Sequence, residues 1–342
     1  MLVALLYTAT LYMDLHGVWS FSVLDWYGMD IPVDTQYWLF LGFAAAFAVK
    51  IPIFPLHTWL PDAHYEAPTA GSVQLAAVLL KFGPYGFLRF AMPIFPAAVY
   101  ELSTFFLVLA LIGIIYGGMV AMVQPQIKRL IAYSSVAHMG YIVLGLFALN
   151  IQGLYGSWIQ MINHAIVTGA LFLIVGMIYE RTHTQEISDY GGVAHTMPKF
   201  SIFLIFFSMA SIGLPGLNGF VGEVLAMIGA AKVNIWYGIV AAFGVLIAAI
   251  YMLWMVQRVV FGPLTKDMVK RLNDFTLREV VVLVPLVFWT IFLGVYPQPF
   301  FDRIEVSINH YIQLIKSQEP RFAKDEAESP GLTKFLVWNL ED

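Results

Sequence analysis

Long apolar runs decide what this chain can fold into. Stretches of about twenty residues with few or no charges recur along it, such as TFFLVLALIGIIYGGMVAMV at 104–123. A hydrocarbon core roughly 30 Å thick is crossed by about 20 helical residues. An unpaired backbone amide is expensive in lipid, so such runs fold as helices unless they alternate with period two and close into a barrel. That alternation is absent. Candidate spans fall at 1–13, 36–53, 69–93, 104–123, 129–150, 155–179, 200–230, 234–257 and 279–296. The expected fold is therefore an all-α polytopic membrane protein of about nine transmembrane helices, the first of them partial. The opening MLVALLYTATLYM lacks a basic n-region and a small-residue cleavage site, so it reads as the latter half of a span and not as a signal peptide.

Composition narrows the function classes. The chain is 60% hydrophobic and 12% charged, against roughly 25% charged residues in soluble domains. It contains no cysteine, which excludes thiolate-held iron–sulfur clusters, and it shows no phosphate-binding or dinucleotide-binding glycine motif. Redox or nucleotide chemistry would belong to other subunits. A net charge of −4 implies no nucleic-acid partner. Basic residues gather in alternate loops (Lys128, Arg129, Arg181, Lys199, Arg258), which assigns those loops to the cytoplasmic side.

Two of the spans are interrupted, one at VKIPIFPLHTWLP (49–61) and one at GLPGLNGFVGE (213–223). Proline removes a donor and crowds the preceding turn, so both segments are expected to unwind. Without function they would be ordinary proline kinks. Paired interruptions, however, are a sequence sign of a transport site built from internal repeats.

The charges within the spans favour the second reading. Lys50, Lys81, His138, His164 and Glu223 fall inside spans, not at their ends. At a rise of about 1.5 Å per residue, Lys81 lies roughly 18 Å into its span, the histidines roughly 14 Å and Glu223 roughly 11 Å from its end, all near the midplane. A charge at the bilayer centre costs about 3 kcal/mol on insertion scales, so such residues face a wet interior and mark ion or proton paths. A lone buried histidine is commonly a satisfied core residue. Two lysines, two histidines and a glutamate at one depth are better explained as a proton relay, because desolvation brings lysine and glutamate towards neutrality, where histidine already exchanges protons. Tyr133, Ser134, Ser135 and Asn163 are available to hold bridging waters.

FAVKIPIFPLHTWLPDAHYEAPTAGSVQLAAVLLKFGPYGFLRF, IKRLIAYSSVAHMGYI, MINHAIVTGALFLIVGMIYERTHT and GLPGLNGFVGE together closely resemble the antiporter-like membrane subunits of respiratory complex I, NADH:quinone oxidoreductase. The resemblance covers nearly the whole chain and extends to FLGVYPQPFFD. It implies two inverted repeats, each with one discontinuous helix, and proton translocation coupled to electron transfer elsewhere. Position by position, Lys50 matches the lysine of the first broken helix and modulates the charge of Lys81, the central lysine. His138 and His164 match the connecting histidines, and Glu223 the terminal glutamate of the second broken helix. On the same pattern residues 36–93 are the remainder of a first repeat whose early helices, with the glutamate partner of Lys50, are missing. Residues 104–257 form the second repeat, 279–296 a final span and 302–342 an amphipathic, then polar tail that packs on the membrane surface or a neighbouring subunit.

The resemblance further implies no cofactor or metal in this chain, flavin and iron–sulfur clusters in partner subunits, other complex I membrane subunits as neighbours, and residence in the bacterial cytoplasmic membrane or an equivalent energy-transducing one. Alternatives are a subunit of a multisubunit cation/proton antiporter or of a membrane-bound hydrogenase, or a structural subunit without transport. His57, Asp62, His64 and Glu66 read as a solvated interfacial loop and not as a metal site.

Overall fold

A computed structural model describes residues 1–316, and among them the secondary structure is helical, with one isolated antiparallel bridge between Gln126 and Glu186. The helices are α1 (Leu2–His16), α2 (Val33–Lys50), α3 (Trp59–Glu66), α4 (Thr69–Ile94), α5 (Pro96–Met122), α6 (Ile127–Phe147), α7 (Ile151–Thr182), α8 (Pro198–Ile212), α9 (Asn218–Val233), α10 (Ile235–Val259), α11 (Leu277–Val295) and α12 (Gln298–Lys316). Short turns such as Val23–Trp26 and Asp267–Lys270 join them.

Among the described residues, α4, α5, α6, α7, α10 and α11 are each long and apolar enough to cross a membrane, while α1 and α8 are apolar but shorter. The expected helix at 36–53 starts earlier and stops at Lys50, and the run 200–230 is two helices, α8 and α9. Proline and glycine chemistry accounts for both interruptions. Pro52 and Pro55 bring no N–H to continue α2, and the indole of Trp59 instead donates to the Val49 carbonyl at its exposed end (3.0 Å). At the second break Gly213 and Gly216 adopt φ of +82° and +92°, a region that glycine enters without strain.

Burial sorts the helices into a centre and a rim. In α6, 94% of the apolar window is buried, against 17% in α11, so α6 is the axis of the bundle. It packs against α5, α7, α9 and α3, and α7 in turn contacts α9, α4, α8 and α11. The rim exposes large apolar side chains such as Trp38, Phe243, Phe288 and Val295, as expected of surfaces facing lipid or neighbouring subunits.

Polar ties close the helix ends. Asn150 caps α7 by accepting from the Gly153 amide, and Thr276 with Glu279 forms a reciprocal capping box at the start of α11. Arg181 at the end of α7 donates to both carboxylate oxygens of Glu279 (2.7 and 2.8 Å). Lys128, counted above as a loop charge, is buried and donates to the Tyr65 and Ala67 carbonyls, closing the end of α3. α12 is amphipathic. Its buried face of Ile308, Tyr311, Ile312 and Ile315 belongs to this chain's own core, and the helix packs on α7 and α5. The remainder of the expected tail, 317–342, lies outside the described residues.

Candidate functional site

Four helices deliver the central residues to one place. Lys81 comes from an irregular part of α4: regular helix stops at Ala77, a tight turn occupies Leu79–Lys81 and helix resumes at Phe82. Pro84 explains the loosening, because its ring crowds the carbonyl four residues earlier and it donates no N–H. The ammonium of Lys81 donates to the Ala76 carbonyl within this loosened turn, and it reaches Nδ1 of His164 on α7 at 2.6 Å.

A second pair lies beside the first. His138, on the central helix α6, makes a 2.7 Å contact through Nδ1 with Oε1 of Glu223 on α9. Its Nε2 meets the hydroxyl of Ser211 in the last turn of α8 at 3.1 Å. The amide of Gln160, one turn before His164 on α7, also donates to Glu223 Oε1 (3.1 Å). Rings of His138 and His164 lie 5.7 Å apart, centroid to centroid, tilted by 58°. His138, His164 and Glu223 are each exposed by 4% or less, and Lys81 is half-buried. Because His138 and Glu223 have lost their water, the short contact between them is strong in the low local dielectric. The site is thus a chain of proton-exchanging groups held by α4, α7, α6 and α9.

The second helix break shapes this site directly. A Cβ on Gly219, in the first turn of α9, would meet the carbonyl oxygen of Ala210 at 2.1 Å, so α8 and α9 cross where only a glycine fits. Gly213 lies similarly close to the Glu223 carboxylate, 3.2 Å from its Oε2 to an added Cβ. Asn163 ties α7 across the break by donating to the Asn218 carbonyl (2.7 Å). Between these walls is a polar cavity of about 10 Å³, lined by His138, Gln160, Asn163, His164, Ser211 and Glu223 among others. That is room for about one water.

Of the expected relay residues, Lys81, His164, His138 and Glu223 come together. Lys50 does not join them; its ammonium lies 6.0 Å from the ring centroid of Trp59, across the first break. Of the groups expected to hold water, Asn163 lines the cavity, whereas Ser134 and Ser135 turn back to the Ile131 carbonyl of their own helix. The solvated-loop expectation for 57–66 needs correction. His57 and His64 are 2% and 0% exposed, His57 packed by Phe54 and Tyr116 and His64 stacked on Phe172 at 4.4 Å. Only the acidic members, Asp62 and Glu66, face outward, Asp62 pairing with Arg129. The cause is the re-formed helix α3, which folds back onto α6 instead of leaving the bundle.

Sequence reasoning missed Gln160 and Ser211. Gln160 carried a signal, since Gln160, His164 and Thr168 recur every fourth residue and share one face of an otherwise apolar helix. Ser211 carried none, because a serine in an apolar helix ordinarily bonds its own backbone.

The chain is an all-helical bundle of membrane-spanning character with two interruptions, and lysine, histidine and glutamate side chains meet at its centre. Residues 2–249 match the family described as NADH:quinone oxidoreductase/Mrp antiporter, TM, and the chain belongs to that family. It is 51% identical over 290 residues to NADH-quinone oxidoreductase subunit M of Rhodobacter capsulatus, covering 85% of this chain and 56% of the relative. To NADH-ubiquinone oxidoreductase chain 4 of Arabidopsis thaliana it is 45% identical over 278 residues, covering 81% and 56%. The chain therefore spans little more than half the length of these curated relatives. Its fold is similar to a chain of respiratory complex I from Thermus thermophilus with bound NADH, at a TM-score of 0.85 and 32% identity over 91% of this chain and 66% of that one.

Proposed function

We propose that this chain is a proton-translocating membrane subunit of an NADH:quinone oxidoreductase, moving protons through Lys81, His164, His138 and Glu223 in step with electron transfer in other subunits. The observation that carries this reading is the pair of short contacts, Lys81–His164 and His138–Glu223, placed side by side in the buried centre of the bundle. Each group can hold and release a proton, and neighbours at hydrogen-bond distance can exchange one.

In this reading Lys81 stores the proton, the histidines relay it and Glu223 passes it towards the exit, while Lys50 at the first break biases the charge on Lys81. Residues 36–93 act as the remainder of a first antiporter-like repeat and 104–257 as a second, each with one discontinuous helix. The chain holds no redox centre of its own; flavin and iron–sulfur clusters reside in partner subunits, and neighbouring antiporter-like subunits flank it in the membrane. Similarity to relatives named as oxidoreductase subunits supports this reading over a subunit of a multisubunit cation/proton antiporter.

The test uses the assembled membrane complex containing this chain, reconstituted into vesicles. Lys81→Ala and Glu223→Gln should each lower NADH-driven proton uptake, by at least about tenfold if the altered group carries the rate-limiting transfer. Uptake unchanged in both variants sinks the relay. Co-purification tests the assignment to a complex, because recovery of this chain without flavin- and iron–sulfur-bearing subunits contradicts it.

A further inference from the structure

The two imidazoles at the centre of the relay do not bond each other. His138 uses both nitrogens, Nδ1 towards Glu223 and Nε2 towards Ser211. His164 uses Nδ1 towards Lys81, and its buried Nε2 has no partner among the described residues. His164 and Ser211 line the same cavity. Ser211 bonds between helices: Ser134 and Ser135 donate to a carbonyl of their own helix, whereas Ser211 on α8 meets His138 on α6.

Resting on the relay reading above, we propose that the Ser211 hydroxyl is the proton-carrying link between His164 and His138, reached from His164 Nε2 through one water in the shared cavity. The cavity's size suits a single water, and such a water needs two to four polar partners. His164 Nε2 and Ser211 Oγ supply two. Gln160 Oε1 and Asn163 Oδ1, both buried, both lining the cavity and neither bonded within the described residues, supply the others.

The transfer balances at every atom. Lys81 gives a proton to His164 Nδ1, and His164 releases the proton on Nε2 to the water. The water gives one of its own to Ser211 Oγ, which passes its hydroxyl proton to His138 Nε2, and His138 releases the proton on Nδ1 to Glu223. Lysine ammonium and glutamate carboxylate become neutral amine and carboxylic acid, while the water and the hydroxyl end as they began. Each imidazole ends as its other tautomer, and exchange of its N–H proton resets it before the next transfer. Ser211 sits on α8 and Glu223 on α9, so the path through His138 runs from one side of the second helix break to the other.

The experiment compares Ser211→Ala and Ser211→Thr with Lys81→Ala in the intact, vesicle-reconstituted complex, reading NADH-driven proton uptake in light and in heavy water. Ser211→Ala should slow uptake at least about tenfold and change the solvent isotope effect, while Ser211→Thr, which keeps the hydroxyl, stays within about twofold of the unaltered complex. Should the alanine variant fail to assemble, Ser211→Cys, close in size but a poor hydrogen-bond donor, is expected to show the same slowing. If Lys81→Ala stops uptake while Ser211→Ala leaves it unchanged, the serine link is overturned and the relay stands. Equal defects in the alanine and threonine variants also overturn it, because packing and not the hydroxyl would then matter. If Lys81→Ala itself leaves uptake unchanged, both the relay and the link fall.

Discussion

Replacing Lys81 by methionine separates a functional charge from a structural one, because the two roles predict opposite changes in stability. Methionine keeps most of the apolar stem and removes the ammonium, together with its bonds to the Ala76 carbonyl and to His164 Nδ1. Taking a charge out of the bilayer centre relieves about 3 kcal/mol on insertion scales. Leaving His164 Nδ1 without its donor costs about 1–3 kcal/mol, so the balance is near neutral or slightly stabilising. Activity moves the other way. A positioned acid–base group contributes roughly 10²–10⁴ in rate, or about 3–5 kcal/mol of barrier. The expected result is a complex that melts at or slightly above its usual temperature and takes up protons at least a hundredfold more slowly. A melting temperature several degrees lower would show that Lys81 holds the bundle together, and uptake within twofold of normal would show that it carries no proton; either result refutes the reasoning.

Gly219→Ala should abolish assembly, since its Cβ would sit 2.1 Å from the Ala210 carbonyl, whereas Gly113→Ala, with nothing within 4 Å, should be tolerated; the yield of intact complex on native gels reads both. Arg181→Lys replaces a two-pronged bond to Glu279 with a single one and should lower thermal stability by about 1–3 kcal/mol, measured by denaturation in detergent. Trp59→Phe removes the indole bond to Val49 and should speed amide exchange at 48–53, which mass spectrometry of exchanged peptides would detect.

The membrane helices could be read from the sequence because their signal is long and one-dimensional: a run of about twenty apolar residues is visible without knowing what packs against it. Both interruptions were visible for the same reason, since Pro52, Pro55, Gly213 and Gly216 act on their own backbone. Lys81, His138, His164 and Glu223 stood out because each is an ionisable group in an apolar run. What escaped depends on where helices meet. Nothing local to Lys50 says that it faces Trp59, and nothing in PLHTWLPDAH says that α3 turns inward and buries both histidines. Lys81 was placed by assuming an even helical rise, yet the tight turn before it aims its ammonium at His164.

His138 is gripped from two directions, by Ser211 on the half-helix before the second break and by Glu223 on the half-helix after it. Those halves cross at the Gly219–Ala210 contact, which acts as a fulcrum only a few residues from either grip. A change in the angle between α8 and α9 about that point would move Ser211 and Glu223 in different directions and so would strain the two bonds to the imidazole unequally. The angle of the break is therefore tied to the bonding of one ring on the least exposed helix of the bundle.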